Sequence, residues 1–172
     1  LSSHIWLNQA RLAKSFGVPV AVLSGSREAV RAFQENSQTR IHCSPPSLAV
    51  LHAAERALAL NKQEGNKRRH LLAQNVVLFR RLLAQAGVFV IGGLFPVQTL
   101  RLPPSIEIAR LYNTLYANGV RCVWRRDCNG RSALSFVLTA RHRPNEMKQV
   151  VAKLTIALES TQFIAASTKA SY

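Results

Sequence analysis

Acidic residues are scarce in this sequence. Eight aspartates and glutamates stand against 23 lysines and arginines in 172 residues, a formal charge of +15, and Asp127 is the only aspartate. A Ser-His-Asp triad has a single residue from which to draw its acid and is not expected. Cysteine is scarce too. Cys43, Cys122 and Cys128 cannot all pair within one chain, and the interval from Cys122 to Cys128 does not suit zinc. No His/Cys/Asp set has metal-ligand spacing, so no metal is expected, and free thiols in a reducing cytoplasm are the simpler reading. Long apolar runs are missing. The longest, 18–23 and 88–94, fall well below the roughly 20 residues of a membrane span. No charged stretch followed by an apolar core opens the sequence, so neither a signal peptide nor a membrane anchor is expected.

What is present is a core. Residues of the hydrophobic set make up 48% of the sequence, which excludes disorder as the default. A compact chain of this size buries roughly 70% of its unfolded surface, as one domain or two small ones. The positive charge is broken into short clusters, Lys67-Arg68-Arg69, Arg80-Arg81, Arg125-Arg126 and Arg141-His142-Arg143. Such clusters read either as solvated helix faces or as phosphate contacts. No helix-turn-helix, zinc-finger or ribonucleoprotein motif supports base readout.

The pattern along the chain is β-α, a long helical connection, then strand-strand-helix-strand-strand-helix. Residues 1–12 give no start signal. Residues 18–23 read as a buried strand, with Pro19 confined to a strand start or edge, and Ser26 as the N-cap of a helix over 27–36. Pro45-Pro46-Ser47 open a helix over 47–61 that should bury Leu48, Leu51, Ala54 and Leu58. Gly65 reads as a break before a second helix, 66–86, with Leu72, Val76, Phe79, Leu83 and Ala86 inward, ended by Gly87. Strands are expected at 88–91, 97–102, 120–124 and 134–138. A helix bearing Ile108, Leu111, Tyr112 and Leu115 stops at Asn118-Gly119. A last helix begins at Pro144-Asn145 with Met147, Val150, Val151, Leu154 and Leu158 inward, and 165–172 should fray. An α/β or α+β layered architecture follows from that order. His52 and His70 fall on helices as surface or boundary residues, and His4 lies in the unassigned start.

One residue stands out for chemistry. Lys14, in Leu12-Ala13-Lys14-Ser15-Phe16-Gly17, has small and apolar neighbours. Poor solvation there would favour a neutral, nucleophilic amine, suited to a Schiff base with a carbonyl or with pyridoxal phosphate. The hexapeptide, the strand after it, Ser24-Gly25-Ser26, and Pro45-Pro46 before a long helix are followed downstream by Leu138-Thr139-Ala140-Arg141-His142 before the final helix. In order and spacing this resembles the α-oxoamine synthases, a fold-type I pyridoxal-phosphate family within the class I/II aminotransferase superfamily. The likeness runs from Lys14 to about Leu158 and covers the C-terminal part of a typical member.

The resemblance implies that Lys14 forms the internal Schiff base with pyridoxal 5'-phosphate and moves the α-proton of the bound amino acid. Arg11 stands where the family carries a Thr or Ser phosphate ligand. Ser44, beside His42 and Cys43, is the nearest match to the hydroxyl that reaches the partner subunit's phosphate. A capped turn is the structural alternative for those three. The family's Arg-x-Arg before its Thr-Ala-x-His turn, which grips the substrate carboxylate, reads Ala133 and Ser135 here, and Arg131 lies on the same strand face by period two. The carboxylate that holds the pyridine nitrogen has no match among the 13 residues before Lys14.

The expectation is therefore an α/β fragment of a pyridoxal-phosphate transferase. Residues 1–60 would end the large cofactor-binding domain with its long connecting helix. Residues 61–172 would form a small α+β domain with a short sheet packed against helices. The implied parent reaction is decarboxylative condensation of an amino acid with an acyl-CoA, in a cytoplasmic homodimer. A pyridoxal-phosphate aminotransferase is the near alternative. A non-catalytic basic module binding a polyanion or nucleic acid is the alternative from another class.

Overall fold

A computed structural model describes residues 7–38, 43–126 and 131–169, with side chains described for 8–38, 43–126 and 131–161. It divides into two compact units, Leu1–Asn66 and Lys67–Tyr172.

The first unit is built on a hairpin. Strand β1 (Leu7–Arg11) pairs antiparallel with β2 (Ala21–Gly25), in register from Leu7 opposite Gly25 to Arg11 opposite Ala21. Between them lie helix α1 (Leu12–Phe16) and Gly17, which adopts the left-handed conformation at φ 68°. The 1–12 segment gives no sequence signal because its strand is held by main-chain pairing rather than by an apolar period. The strand expected over 18–23 is displaced to Ala21–Gly25 and is largely exposed. Val18 is buried in the loop instead, and the Val20 N–H donates to the Val18 carbonyl around Pro19 at 2.7 Å. Helix α2 (Arg27–Asn36) starts as expected, with Ser26 Oγ accepting from the Ala29 N–H at 3.2 Å.

Helix α3 runs unbroken over Leu48–Gln85. The break expected at Gly65 does not occur. An interior glycine costs only about 1 kcal/mol relative to alanine, and the helix formers on either side, Lys62-Gln63-Glu64 and Lys67-Arg68-Arg69, outweigh it. Near its start, Ala54 packs with Leu12 and Val18, with Val50 and Ala57 alongside. Leu48, Leu51 and Leu58, expected inside, are exposed.

The second unit is a four-stranded antiparallel sheet covered by helices on one face, which bears out the α+β expectation. Its strands are β3 (Phe89–Ile91), β4 (Val97–Arg101), β5 (Val123–Arg126) and β6 (Ser132–Val137), in spatial order β3-β4-β6-β5. Helices α4 (Ile108–Ala117) and α5 (Pro144–Lys169) complete it. Leu100, Leu134 and Phe136 from the sheet meet Val76, Phe79 and Leu83 from α3, Leu111 and Leu115 from α4, and Met147, Val151 and Leu154 from α5. The Phe79 and Phe136 rings meet edge-on at 5.4 Å.

Two helix ends share one device. The Val88 N–H bonds the Leu83 carbonyl after Gly87, and the Val120 N–H bonds the Leu115 carbonyl after Gly119. Val120 is thereby used in a cap, so β5 starts at Val123 rather than at residue 120. The fraying expected from 165 is not seen before Lys169, as no glycine or proline interrupts α5 there.

The β3–β4 loop closes on a buried amide. Gln98 is fully buried, donates from Nε2 to the Gly93 and Phe95 carbonyls, and accepts at Oε1 from Arg80 at 2.8 Å. Gly92 sits at φ 145°, where an added Cβ would lie 2.5 Å from the Val97 carbonyl oxygen. Gly92→Ala is expected to lower unfolding free energy by about 2 kcal/mol or more. Urea denaturation with an unchanged slope reads this, and an unaltered midpoint would contradict it.

Candidate functional site

Arg11 is the last residue of β1 and the N-cap of α1, and its side chain is exposed. Leu12 and Phe16, four residues apart, take the inward face of the short helix, so Ala13, Lys14 and Ser15 point to solvent. The expected poor solvation of Lys14 is therefore not met: its apolar neighbours in sequence are turned the other way. The Leu12 N–H bonds the Val20 carbonyl at 2.9 Å, tying α1 back to the chain before β2. What the hairpin offers is an outward amine on an anchored turn.

Ser44 is exposed in the irregular stretch before α3, with Cys43 exposed beside it. His42 and His4 lie outside the described residues. The cap on α3 is Ser47, whose Oγ accepts from the Val50 N–H at 3.4 Å. Lys14, Arg11 and Ser44 belong to the first unit. Arg131, exposed and just before β6, belongs to the second.

The second unit holds polar constructions that sequence reasoning missed. Asn75, buried on α3, donates from Nδ2 to the Thr139 carbonyl at 3.0 Å and the His142 carbonyl at 2.9 Å. Within that turn the Thr139 N–H donates to His142 Nδ1 at 3.2 Å and the Arg141 N–H to Thr139 Oγ1 at 3.3 Å. His142 Nδ1 is thus an acceptor, which places the ring proton on Nε2. On β6, Ser135 is buried, its Oγ 2.8 Å from Thr99 Oγ1 on β4. From β5, Arg125 Nε donates to Ser135 Oγ and Nη2 to Thr99 Oγ1, both at 3.5 Å. Arg125 lies opposite Ala133 in the register of β5 with β6. That placement is invisible until the strand pairing is known.

A cavity of about 520 Å³ opens between the ends of β5 and β6 and the start of α5, with Cys122, His142, Glu146 and Met147 on its wall. Burial pushes the Cys122 thiol up from its ordinary range. Lys67, Arg68, Arg69 and Arg81 are exposed on α3, Arg80 is engaged with Gln98, and Arg125 and Arg126 alternate along β5. Among the described residues no helix is long and apolar enough to cross a membrane.

The raised thiol pKa has a signed consequence. The unfolded state loses the Cys122 proton first, so stability falls as pH rises above the ordinary thiol pKa. Iodoacetamide alkylation of Cys122 in the folded chain is expected to follow a pH profile displaced upward from that in urea. A downward displacement would contradict the burial.

No protein-family profile matches the sequence. Among curated proteins, 8-amino-7-oxononanoate synthase of Stutzerimonas stutzeri (strain A1501) is 27% identical over 146 residues, 83% of this chain and 37% of that protein. The synthase of the same name from Halorhodospira halophila (strain DSM 244 / SL1) is 28% identical over 152 residues, 85% of this chain and 38% of that protein. The chain thus spans under two fifths of the length of these two relatives. Among solved structures, 8-amino-7-oxononanoate synthase from Francisella tularensis superposes with a TM-score of 0.73 at 20% identity, covering 90% of this chain and 46% of that one. Serine palmitoyltransferase of Sphingomonas wittichii gives 0.74 at 16% identity, covering 91% and 40%. The fold of the chain is that of the matching part of these proteins.

Proposed function

We propose that this chain, which matches the C-terminal part of the α-oxoamine synthases, supplies the lysine-bearing side of a pyridoxal-phosphate-dependent transferase that condenses an amino acid with an acyl-CoA. The reading is carried by one observation. The resemblance assigns the cofactor lysine to Lys14, and the β1-α1-β2 hairpin holds that residue outward on a turn anchored by Leu12 and Phe16.

The residues fit one side of the cofactor. Lys14 offers an amine and Arg11 a donor for its phosphate, while Ser44 offers a donor for the phosphate bound by the partner subunit. The described carboxylates of the first unit are Glu28 and Glu35 on α2 and Glu55 and Glu64 on α3, with none on the hairpin. Glu35 is already paired with Arg31 at 2.8 Å. A carboxylate for the pyridine nitrogen would come from another part of a longer protein. When bound, pyridoxal phosphate supplies an aldehyde for the amine and an electron sink for charge developing at the amino acid's α-carbon.

The chain's own residues would then divide the work. Lys14 Nζ would hold the cofactor and would take the proton from the amino acid's α-carbon as general base. The Arg11 guanidinium would neutralise and orient the phosphate of the cofactor on Lys14, and the Ser44 hydroxyl would donate to the phosphate of the partner subunit's cofactor. The exposed Leu48, Leu51 and Leu58 on α3 suit a piece that closes against the remainder of a larger protein. In this reading that protein is a cytoplasmic homodimer, in keeping with the free thiols of Cys43 and Cys122.

Incubation of the chain with pyridoxal phosphate, borohydride reduction and peptide mapping test the assignment. One pyridoxyl group is expected at Lys14, lost in Lys14→Ala. Labelling scattered over several lysines, or unchanged by the substitution, would overturn it.

A further inference from the structure

The cavity at the start of α5 takes no part in the chemistry proposed above. Its whole wall belongs to the second unit. It lies at the Val123 and Val137 end of the β5–β6 pair, away from Arg126 and Ser132. The inner wall is apolar: Phe79, Phe136, Leu138 and Met147 are each at most 5% exposed and belong to the main core. A volume of about 520 Å³ falls within the range of small-molecule sites, roughly 300–1,000 Å³.

The polar groups on this wall decide what could enter. Arg121 is engaged with α4, where its Nη1 donates to the Tyr116 carbonyl at 3.3 Å and its guanidinium lies 3.9 Å from the centre of the Tyr116 ring. Glu146 is the third residue of α5, and its Oε2 accepts from the Arg143 N–H at 2.8 Å. That bond holds a carboxylate on the wall as part of the helix start. Burial keeps the Cys122 thiol protonated, and a thiol is only a weak donor. His142 has a donor to spare. Its Nδ1 is taken by the Thr139 N–H, and among the described residues nothing accepts from its Nε2–H.

This set selects by charge. A carboxylate ligand would meet Glu146 inside a largely apolar cavity, where like charges repel with little screening. An ammonium ligand would be desolvated beside the Arg141-His142-Arg143 cluster of a chain with formal charge +15. An uncharged molecule escapes both penalties. We propose that this cavity binds a small, uncharged, largely hydrocarbon molecule whose carbonyl-type oxygen accepts from His142 Nε2–H. The site does not depend on the transferase reading: it shares no residue with it and lies outside the unit that holds Lys14.

The sequence contains one methionine, Met147, so labelling the whole chain with methyl-13C methionine gives a single reporter on the wall. Three probes of similar shape are titrated: acetophenone, with a carbonyl; ethylbenzene, without an acceptor; and benzoate, with a carboxylate. Acetophenone is expected to shift the Met147 methyl saturably, ethylbenzene to bind about fivefold more weakly, and benzoate to leave the signal in place. Acetophenone should also slow iodoacetamide alkylation of Cys122 and leave that of exposed Cys43 unchanged. Val150→Phe, which fills the cavity from α5, should abolish the shift in a chain that still unfolds cooperatively. A Met147 signal unmoved by acetophenone would overturn the proposal, as would an equal response to benzoate or equal binding of ethylbenzene. Saturable binding without protection of Cys122, or binding that survives Val150→Phe, would place the probe elsewhere and overturn it too.

Discussion

The second unit depends on the burial of alternate residues of one strand. Leu134 and Phe136 of β6 are locked among Phe79, Leu115 and Leu154, and a shift of one residue would put Ser135 in an apolar core. Unpaired, a buried hydroxyl costs about 1–3 kcal/mol, so register and outward face are chosen together. On that face Ser135 has Thr99 within 2.8 Å and Arg125 above it. Packing on one side of the sheet thus dictates the chemistry available on the other.

The same logic runs through the polar groups inside. Gln98 and Asn75 are buried amides, and each ties a loop to the framework: the β3–β4 turn through Gly93 and Phe95, and the Thr139–His142 turn through two carbonyls. Among the described residues no buried side-chain nitrogen or oxygen lacks a partner. In the first unit the anchor is smaller. Leu12, Val18 and Ala54 form its buried cluster, and they turn α1 so that Lys14 faces outward.

The elements legible in the sequence are those whose apolar period is long. Val76, Phe79 and Leu83 on α3, Leu111 and Leu115 on α4, and Met147, Val151 and Leu154 on α5 were all readable from spacings of three and four, and all are buried. Strand β1 was not readable because Leu7-Asn8-Gln9-Ala10-Arg11 is specified by its partner strand. Gly65 does not break α3 because its local propensity cost is outweighed by the helix formers on either side. Leu48, Leu51 and Leu58 misled because an amphipathic stripe announces burial without saying against what. Of the candidate residues, Lys14 is singled out by the order of motifs, whereas the placement of Arg125 beside Ser135 is not legible, since a cross-strand neighbour leaves no trace in linear spacing. Asn75 was missed for the same reason, its partners lying 64 and 67 residues away.

The central claim is that this chain carries the cofactor lysine of a pyridoxal-phosphate transferase at Lys14. Its most direct measurement is the visible absorbance of the whole chain titrated with pyridoxal phosphate, beside Lys14→Ala under the same conditions. The account predicts a saturable band at one equivalent that changes on adding an amino acid and is missing from the variant. A band of equal size in both proteins, or growth without saturation, would contradict it.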